Sequence, residues 1–514
     1  MSRFSFLVTL MACMAFATQA NSTDLVKEIV RFHENPSEVM NVVPEKTPVV
    51  GDESMLDNMI SPLGHKPLGL GDIVEIKDEQ RSVICRIDNG IKVCGNDQIG
   101  RAGIQPNDRF ESLVDYNQKP VNTLEQIEER SLLKKELTIQ PWSDDYWPLA
   151  NGVLAHRYAH ESGEKEFLWQ EALNKFRATP TQSLIDDGLV HQLSPAEKYD
   201  LLIGDRNFTL TNSMLNEGKP YFDRNGSVES WMGICHGWAA AAYMLPRPKK
   251  VIWVKSFDGK LDIPFYPSDI KSLGSLLYAK NDYPSKFIGG RCNVKDPKQD
   301  ENGRVTDQRC FDNNPATWHF AVINQIGVSD RSMVMDATFD YEVWNQPIIS
   351  YDISYYNPQE MKYVNNLKDA KSSLKEFTKD KFKKYRHKNT RSIIGIEMDV
   401  KYIVETSPSH QQMDSPHYDG IKEVTYQYDL EIDSTGNVIG GEWYTNLHPD
   451  FLWTPIKNRP IQTQTDKFLA SRGVFSWNIN SKVPSIVQQF VSYESRRGSP
   501  LAMIVQELFR ASSK

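Results

Sequence analysis

Glu229-Ser230-Trp231-Met232-Gly233-Ile234-Cys235-His236-Gly237-Trp238-Ala239-Ala240-Ala241-Ala242-Tyr243-Met244-Leu245 is the stretch around which the rest of this chain is read. A cysteine follows a glycine and stands at the mouth of an alanine-rich run that Pro246 stops. Alanine is the best helix former, so the spacing predicts a short buried helix with Cys235 in its first turn. There the unpaired N–H groups and the helix dipole favour a thiolate, the reactive form of cysteine.

A thiol nucleophile needs a base and an orienting group. Asn314-Pro315-Ala316-Thr317-Trp318-His319-Phe320-Ala321-Val322-Ile323 alternates and reads as a strand, with His319 on the face opposite Trp318 and Phe320. Ser332 to Thr338 reads as the next strand, after a turn marked by Gly327, Ser329 and Asp330. With Ile326–Ser329 as the loop, His319 falls opposite Asp336, so the carboxylate would orient an imidazole facing Cys235. Asp340 shares the parity of Asp336 and is the nearest rival carboxylate. His236 adjoins the nucleophile, but consecutive helical residues do not face each other. The backbone N–H of Cys235 is one natural oxyanion donor, and Trp231 or an aromatic at 142–147 would supply the second.

The cysteines bear on the same point. Of six, Cys13 lies in an N-terminal apolar run, leaving Cys85, Cys94, Cys235, Cys292 and Cys310. Cys85 and Cys94 flank the hairpin signal Asn89-Gly90, and its register sets them opposite each other, close enough to bridge. Cys292 and Cys310 bracket a polar loop and form the expected second bridge. Cys235 is left as the free thiol. Arg3, the apolar run from Phe4 to Ala17 and Thr18-Gln19-Ala20 read as a signal peptide over residues 1–20, cleaved near Ala20. A secreted or periplasmic protein is the expectation. No later stretch has the length of a membrane span. The 514 residues carry a net charge of −8, which argues against a general nucleic-acid binder.

Along the rest of the chain, residues 21–65 read as a polar leader or linker. Residues 66–120 read as a small β domain carrying the Cys85/Cys94 hairpin. A charged helical stretch (Thr123 to Leu137) leads to Pro141-Trp142-Ser143-Asp144-Asp145-Tyr146-Trp147-Pro148, a rigid aromatic wall or lid anchor. Helical periodicity covers 164–176 and 194–203, the second opened by the capping sequence Ser194-Pro195-Ala196-Glu197. The acidic loop from Asp296 to Asp312 fails as an EF-hand, because Lys298 and Arg309 occupy ligand positions, so no metal ligands are assigned. Lys371 to Arg391 is basic and reads as a solvated helix. Strict alternation over Ile394–Val404 and Val424–Ile432, with a turn at Asp433-Ser434-Thr435-Gly436, predicts antiparallel strands with one buried face. Residues 481–514 read as helical, with a break near Gly498 and Pro500.

A cysteine at a helix start, a histidine, and Asp336-Ala337-Thr338 together are similar to the transglutaminase and papain-like arrangement. Asp336 through Val343-Trp344-Asn345-Gln346-Pro347 resembles more specifically the transglutaminase elicitor family first recognised in Phytophthora. The blocks Pro141–Pro148, Gly233–Trp238 and His448-Pro449-Asp450-Phe451-Leu452-Trp453 carry the same resemblance. It implies an α+β, papain-like or transglutaminase-like core with a largely antiparallel sheet over residues 136–480. It also implies protein-glutamine γ-glutamyltransferase activity with Cys235, His319 and Asp336 as the triad. A protein or peptide glutamine would be the donor and a primary amine the acceptor. Trp142, Trp147 and Trp344 would stand near the substrate. No cofactor is required by that chemistry; calcium is used by some relatives. In the family a Val-Trp-Asn-Gln-Pro stretch forms the core of a surface peptide perceived by plants, but Ile348-Ile349-Ser350-Tyr351 departs from its basic continuation. The alternatives are a cysteine peptidase or amidase, including one acting on cell-wall peptides, and a non-catalytic elicitor or binding module.

Overall fold

The computed structural model describes residues 31–40, 104, 108–115, 119–160, 168–292, 297–306, 310, 313–337 and 343–514, together with the backbone of strands at 46–49, 85–88 and 91–94. Its centre is an antiparallel sheet. The two alternating stretches become the 13-residue strands Ser392–Val404 and Gly420–Ile432, paired along their whole length. Ile394 faces Leu430, Ile396 faces Tyr428, Met398 faces Tyr426 and Val400 faces Val424, and all eight are buried in one core. Burying each such side chain is worth about 1.5–3 kcal/mol, which fixes the register against a one-residue slip. At the turn, Asp433 accepts from the N–H groups of Thr435 and Asn437, and Gly436 takes φ +91° before the return strand Val438–Trp443.

The sheet continues through Asn345–Asn357, Val334–Asp336 and Phe451–Pro455 to Ser285–Gly289, and on its other side to Lys46–Val49. Two cores form on it. Met335, Ile348, Tyr351, Tyr428 and Leu452 face one, under the helix Pro315–Val322. Val334, Trp344, Ile349 and Ile403 face the other, under a helical layer. The cysteine helix, Cys235–Met244, belongs to that layer and crosses Pro267–Lys280 closely. Gly237 permits the crossing, since a Cβ there would stand 2.2 Å from the Ser275 carbonyl oxygen. The expected C-terminal helices, Ser485–Arg496 and Ala502–Ser512, flank the break at Gly498 and Pro500 and pack into the same core. The capping box of Ser194 and Glu197 opens Pro195–Ile203.

Several expectations are corrected. Residues 314–323 are not a strand: Pro315–Val322 is a helix, capped by the Asn314 side chain with Pro315 in its first turn. Every residue of that helix is buried, so no helical period survived to be read, and Trp318 and Phe320 imitated alternation. The facing register of His319 and Asp336 falls with it. The 371–391 stretch is not one solvated helix either; it holds the short strand Lys371–Ser373, and Arg386 is buried among Asp380, Asp429 and Glu431. Part of the leader is packed: Phe32 stacks on Tyr444 at 4.1 Å, and the Met40 carbonyl accepts from the Asn446 N–H.

The Cys85–Asp88/Ile91–Cys94 hairpin has the expected register, with Cys85 opposite Cys94; their sulfurs lie outside the described residues, as does the leader at 1–20. Cys292 and Cys310 form a disulfide. Among the described residues, no helix is long and apolar enough to cross a membrane.

Candidate active site around Cys235

The segment Pro141–Pro148 straps the cysteine helix in place. The Trp142 N–H donates to the Ala242 carbonyl, and the Trp238 indole returns a bond to the Trp142 carbonyl at 3.1 Å. At the other end the Ile234 N–H donates to the Tyr146 carbonyl at 2.7 Å. Gly233 is required beneath it, because a Cβ would lie 2.3 Å from that same oxygen. The expected aromatic wall is therefore buried structure. Trp147 donates to Asp144, and the Trp142 indole reaches the Leu245 carbonyl. Trp231 donates to Glu229 at 2.8 Å, so its indole is committed away from the thiol.

Cys235 begins its helix as expected, and among the described residues it is the free cysteine. Its N–H, in the first turn, has no acceptor within the helix. The thiol donates to the Val343 carbonyl at 3.7 Å and accepts from Asn345 Nδ2 at 3.6 Å. Asn345 is held in turn by the Trp453 indole, which donates to its Oδ1 at 2.8 Å. Asp336, opposite Asn345 in the sheet, accepts from the Trp344 N–H at 3.0 Å and so fixes the Val343–Trp344 bend over the sulfur. Glu405 is buried and receives the Gln346 side-chain amide at 2.9 Å.

Electrostatics oppose the helix dipole. Burial pushes the Cys235 thiol up to about 11, and the charges of Glu405 and Asp336 add to the rise while Asn345 opposes it. Burial likewise lifts Glu405 to about 7, against the Gln346 hydrogen bond and the Lys422 charge. The resting group is a protonated, enclosed thiol.

The sequence-predicted residues thus divide. Cys235, Asp336 and Trp344 come together. His319 stands apart: its Nδ1 lies 2.8 Å from the Tyr428 hydroxyl, its Nε2 has no hydrogen-bond partner, and burial alone holds its pKa down to about 3. Neither Cys235 nor Asp336 is hydrogen-bonded to it, and among the described residues no imidazole is hydrogen-bonded to the Cys235 sulfur. His448 stacks on Trp443 at 4.6 Å. Asp340 lies outside the described residues.

The residues missed were Asn345, Gln346, Trp453 and Glu405. The first three stood in quoted blocks, but nothing in their spacing told which strand would meet the cysteine helix. The Val343–Pro347 stretch, a surface peptide by resemblance, is buried here against the thiol. Among the described residues, no group of three or more His, Cys, Asp or Glu side chains is placed to hold a metal ion.

No curated protein matches the chain. The crystal structure of the GP42 transglutaminase from Phytophthora sojae is similar at a TM-score of 0.46 and 20% identity, covering 67% of this chain and 90% of that one. That likeness is too distant to bear on individual residues. Residues 111–476 match the Transglutaminase elicitor family, a span that takes in the strap, the cysteine helix and the strands carrying Asp336, Asn345 and Trp453. The chain belongs to the transglutaminase elicitor family.

Proposed function

We propose that the protein is a protein-glutamine γ-glutamyltransferase in which Cys235 is the nucleophile. The observation that carries this reading is the free thiol at a helix start with the Asn345 amide beside its sulfur. A glutamine carboxamide entering the site displaces the Val343 carbonyl from the thiol. The sulfur bonds to the carboxamide carbon, the C–N bond breaks, and the thiol proton leaves with the nitrogen as ammonia. A primary amine then attacks the thioester, forms the isopeptide bond and returns its proton to the sulfur.

Two donors suit the oxyanion of each tetrahedral intermediate: the Cys235 N–H and Asn345 Nδ2. Asn345 replaces Trp231 in that role, because the Trp231 indole is occupied by Glu229. Asp336 acts as a positioning residue through the Trp344 N–H. In the triad form of the reading His319 would carry the proton, and it would have to exchange Tyr428 for the thiol. The oxyanion donors, the Cys235 N–H and Asn345 Nδ2, require no such movement, but neither of them carries the proton.

The test is incorporation of a fluorescent primary amine into casein, with and without Cys235→Ala. Incorporation by the wild type that vanishes in the variant is expected. Thiol-dependent fragmentation of the casein without incorporation would make the protein a peptidase. No thiol-dependent turnover of either kind would leave a binding module.

A further inference from the structure

The face of the sheet that meets Cys235 ends outward in two aromatic side chains, half-buried Trp453 and exposed Phe287. Directly paired residues in neighbouring strands point to the same face. Val334 pairs with Pro347, Trp453 pairs with Val334, and Phe287 pairs with Trp453. One row therefore runs from the strand carrying Asn345 to the outer strand Ser285–Gly289, with its inner pair, Pro347 and Val334, buried. Next to Phe287 in that row, the Trp453 indole holds the Asn345 amide, which touches the sulfur. At its outer end Phe287 is 52% exposed, although it is a large apolar side chain, and it stacks on Phe451 at 5.1 Å. Among the described residues, nothing covers Phe287 to that remaining extent.

We propose that the accessible outer part of this row, Trp453 and Phe287, is the donor-binding surface: an extended polypeptide lies with its glutamine at Cys235 and an apolar side chain of the same segment on Phe287 and Trp453. The inference rests on the acyl-transfer reading above and adds to it a position at which the donor is selected. The span selects the occupant. Three interstrand steps of about 4.8 Å separate the Asn345 strand from the Phe287 strand, about 14 Å in all. A free amino acid cannot bridge that distance, whereas about four residues of extended chain do. The surface therefore reads an apolar residue about four positions from the reactive glutamine. Phe287 touches neither the thiol nor Asn345, so its contribution lies in holding the donor.

The experiment compares two glutamine peptides that differ only in carrying leucine or serine four residues from the glutamine, on each side in turn. The wild type is expected to favour a leucine peptide by about tenfold in kcat/KM, through KM rather than kcat. Phe287→Ser is expected to bring that ratio to about one. A leucine preference that survives Phe287→Ser, or no preference in the wild type, overturns the proposal.

Anisotropy of the same peptides bound to the Cys235→Ala protein, with and without Phe287→Ser, separates this from the catalytic reading. Phe287-dependent binding without turnover in any Cys235-containing protein would sink acyl transfer and keep the surface. Cys235-dependent turnover with indistinguishable peptides would do the reverse. Sedimentation of wild type and Phe287→Ser covers the other occupant, since a dimer that dissociates in the variant would make the row a self-association face and overturn donor binding.

Discussion

The two faces of the sheet bury chemically similar groups and treat them differently. On one face Cys235 is enclosed with Asn345 beside the sulfur, Asp336 opposite Asn345 and Glu405 close enough to act on the thiol by charge. On the other, His319 has the rings of Phe320 and Tyr428 as neighbours, and burial is the whole cause of its lowered pKa. A base works best with a pKa near the operating pH. An imidazole held to about 3 binds a proton poorly at neutrality, whatever its distance from the thiol. The thiol is enclosed with a carboxamide and two carboxylates around it, whereas the hydrogen-bond partner of the His319 imidazole is the Tyr428 hydroxyl.

The largest expected effect follows from the polar side of this contrast. Asn345→Ala removes the side-chain donor beside the sulfur, keeps the backbone one, and leaves the Trp453 indole without its acceptor. Loss of one oxyanion donor costs about 100- to 1,000-fold in kcat. Amine incorporation should fall by that order while circular dichroism stays unchanged. A kcat within about threefold of wild type would remove Asn345 from the mechanism.

His319→Phe breaks the comparison from the other side. The ring fits an aromatic setting, but the Tyr428 hydroxyl loses its partner, a cost of about 1–3 kcal/mol in unfolding free energy at pH 7. Activity per folded molecule should persist. The sign with pH is fixed by the lowered pKa. A histidine near 3 when folded and 6.5 when unfolded binds more protons unfolded, so its contribution is present above 6.5 and is lost as pH falls towards 3. The deficit of His319→Phe should therefore shrink below pH 6 in denaturant titrations. His33 and His236 are also lowered by burial, but both proteins keep them and their contributions cancel. If His319→Phe were stable at pH 7 and inactive, the imidazole would be the base and its helix would have to move in turnover.

The same contrast explains what was legible in the sequence. Strands 392–404 and 420–432 were readable because one face is apolar along its length and the residues between are polar. Cys235 was readable because a glycine, a cysteine and an alanine run need no tertiary context to make a helix mouth. Pro315–Val322 was misread because burial on all sides erases periodicity, and local alternation of Trp318, His319 and Phe320 filled the gap. Asn345 and Glu405 were invisible as site residues for a different reason. Their role depends on which strand lies under the cysteine helix, and a shift of register at Lys401/Tyr402 lets Ile349 and Tyr351, two residues apart on one strand, face different cores. Single-sequence parity cannot anticipate such a shift.

The smallest effect sharpens the account of the thiol itself. Glu405 is buried, receives Gln346, and is faced by Lys422, Asp145, Tyr146, Tyr402 and Cys235. Its charge is one of the causes that hold the thiol near 11, after burial. Glu405→Gln keeps an acceptor for the Gln346 amide and removes the charge. The thiol pKa, followed by the rate of alkylation against pH, should move down by less than about one unit, because burial remains. Stability gives an independent sign. A carboxyl at about 7 when folded and 4.5 when unfolded contributes stability that is complete below 4.5 and lost as pH rises through 7. Glu405→Gln should therefore lose less stability than wild type between pH 5 and pH 8. An unmoved alkylation profile together with an unmoved stability profile would mean that Glu405 is solvated and takes no part in holding the thiol protonated.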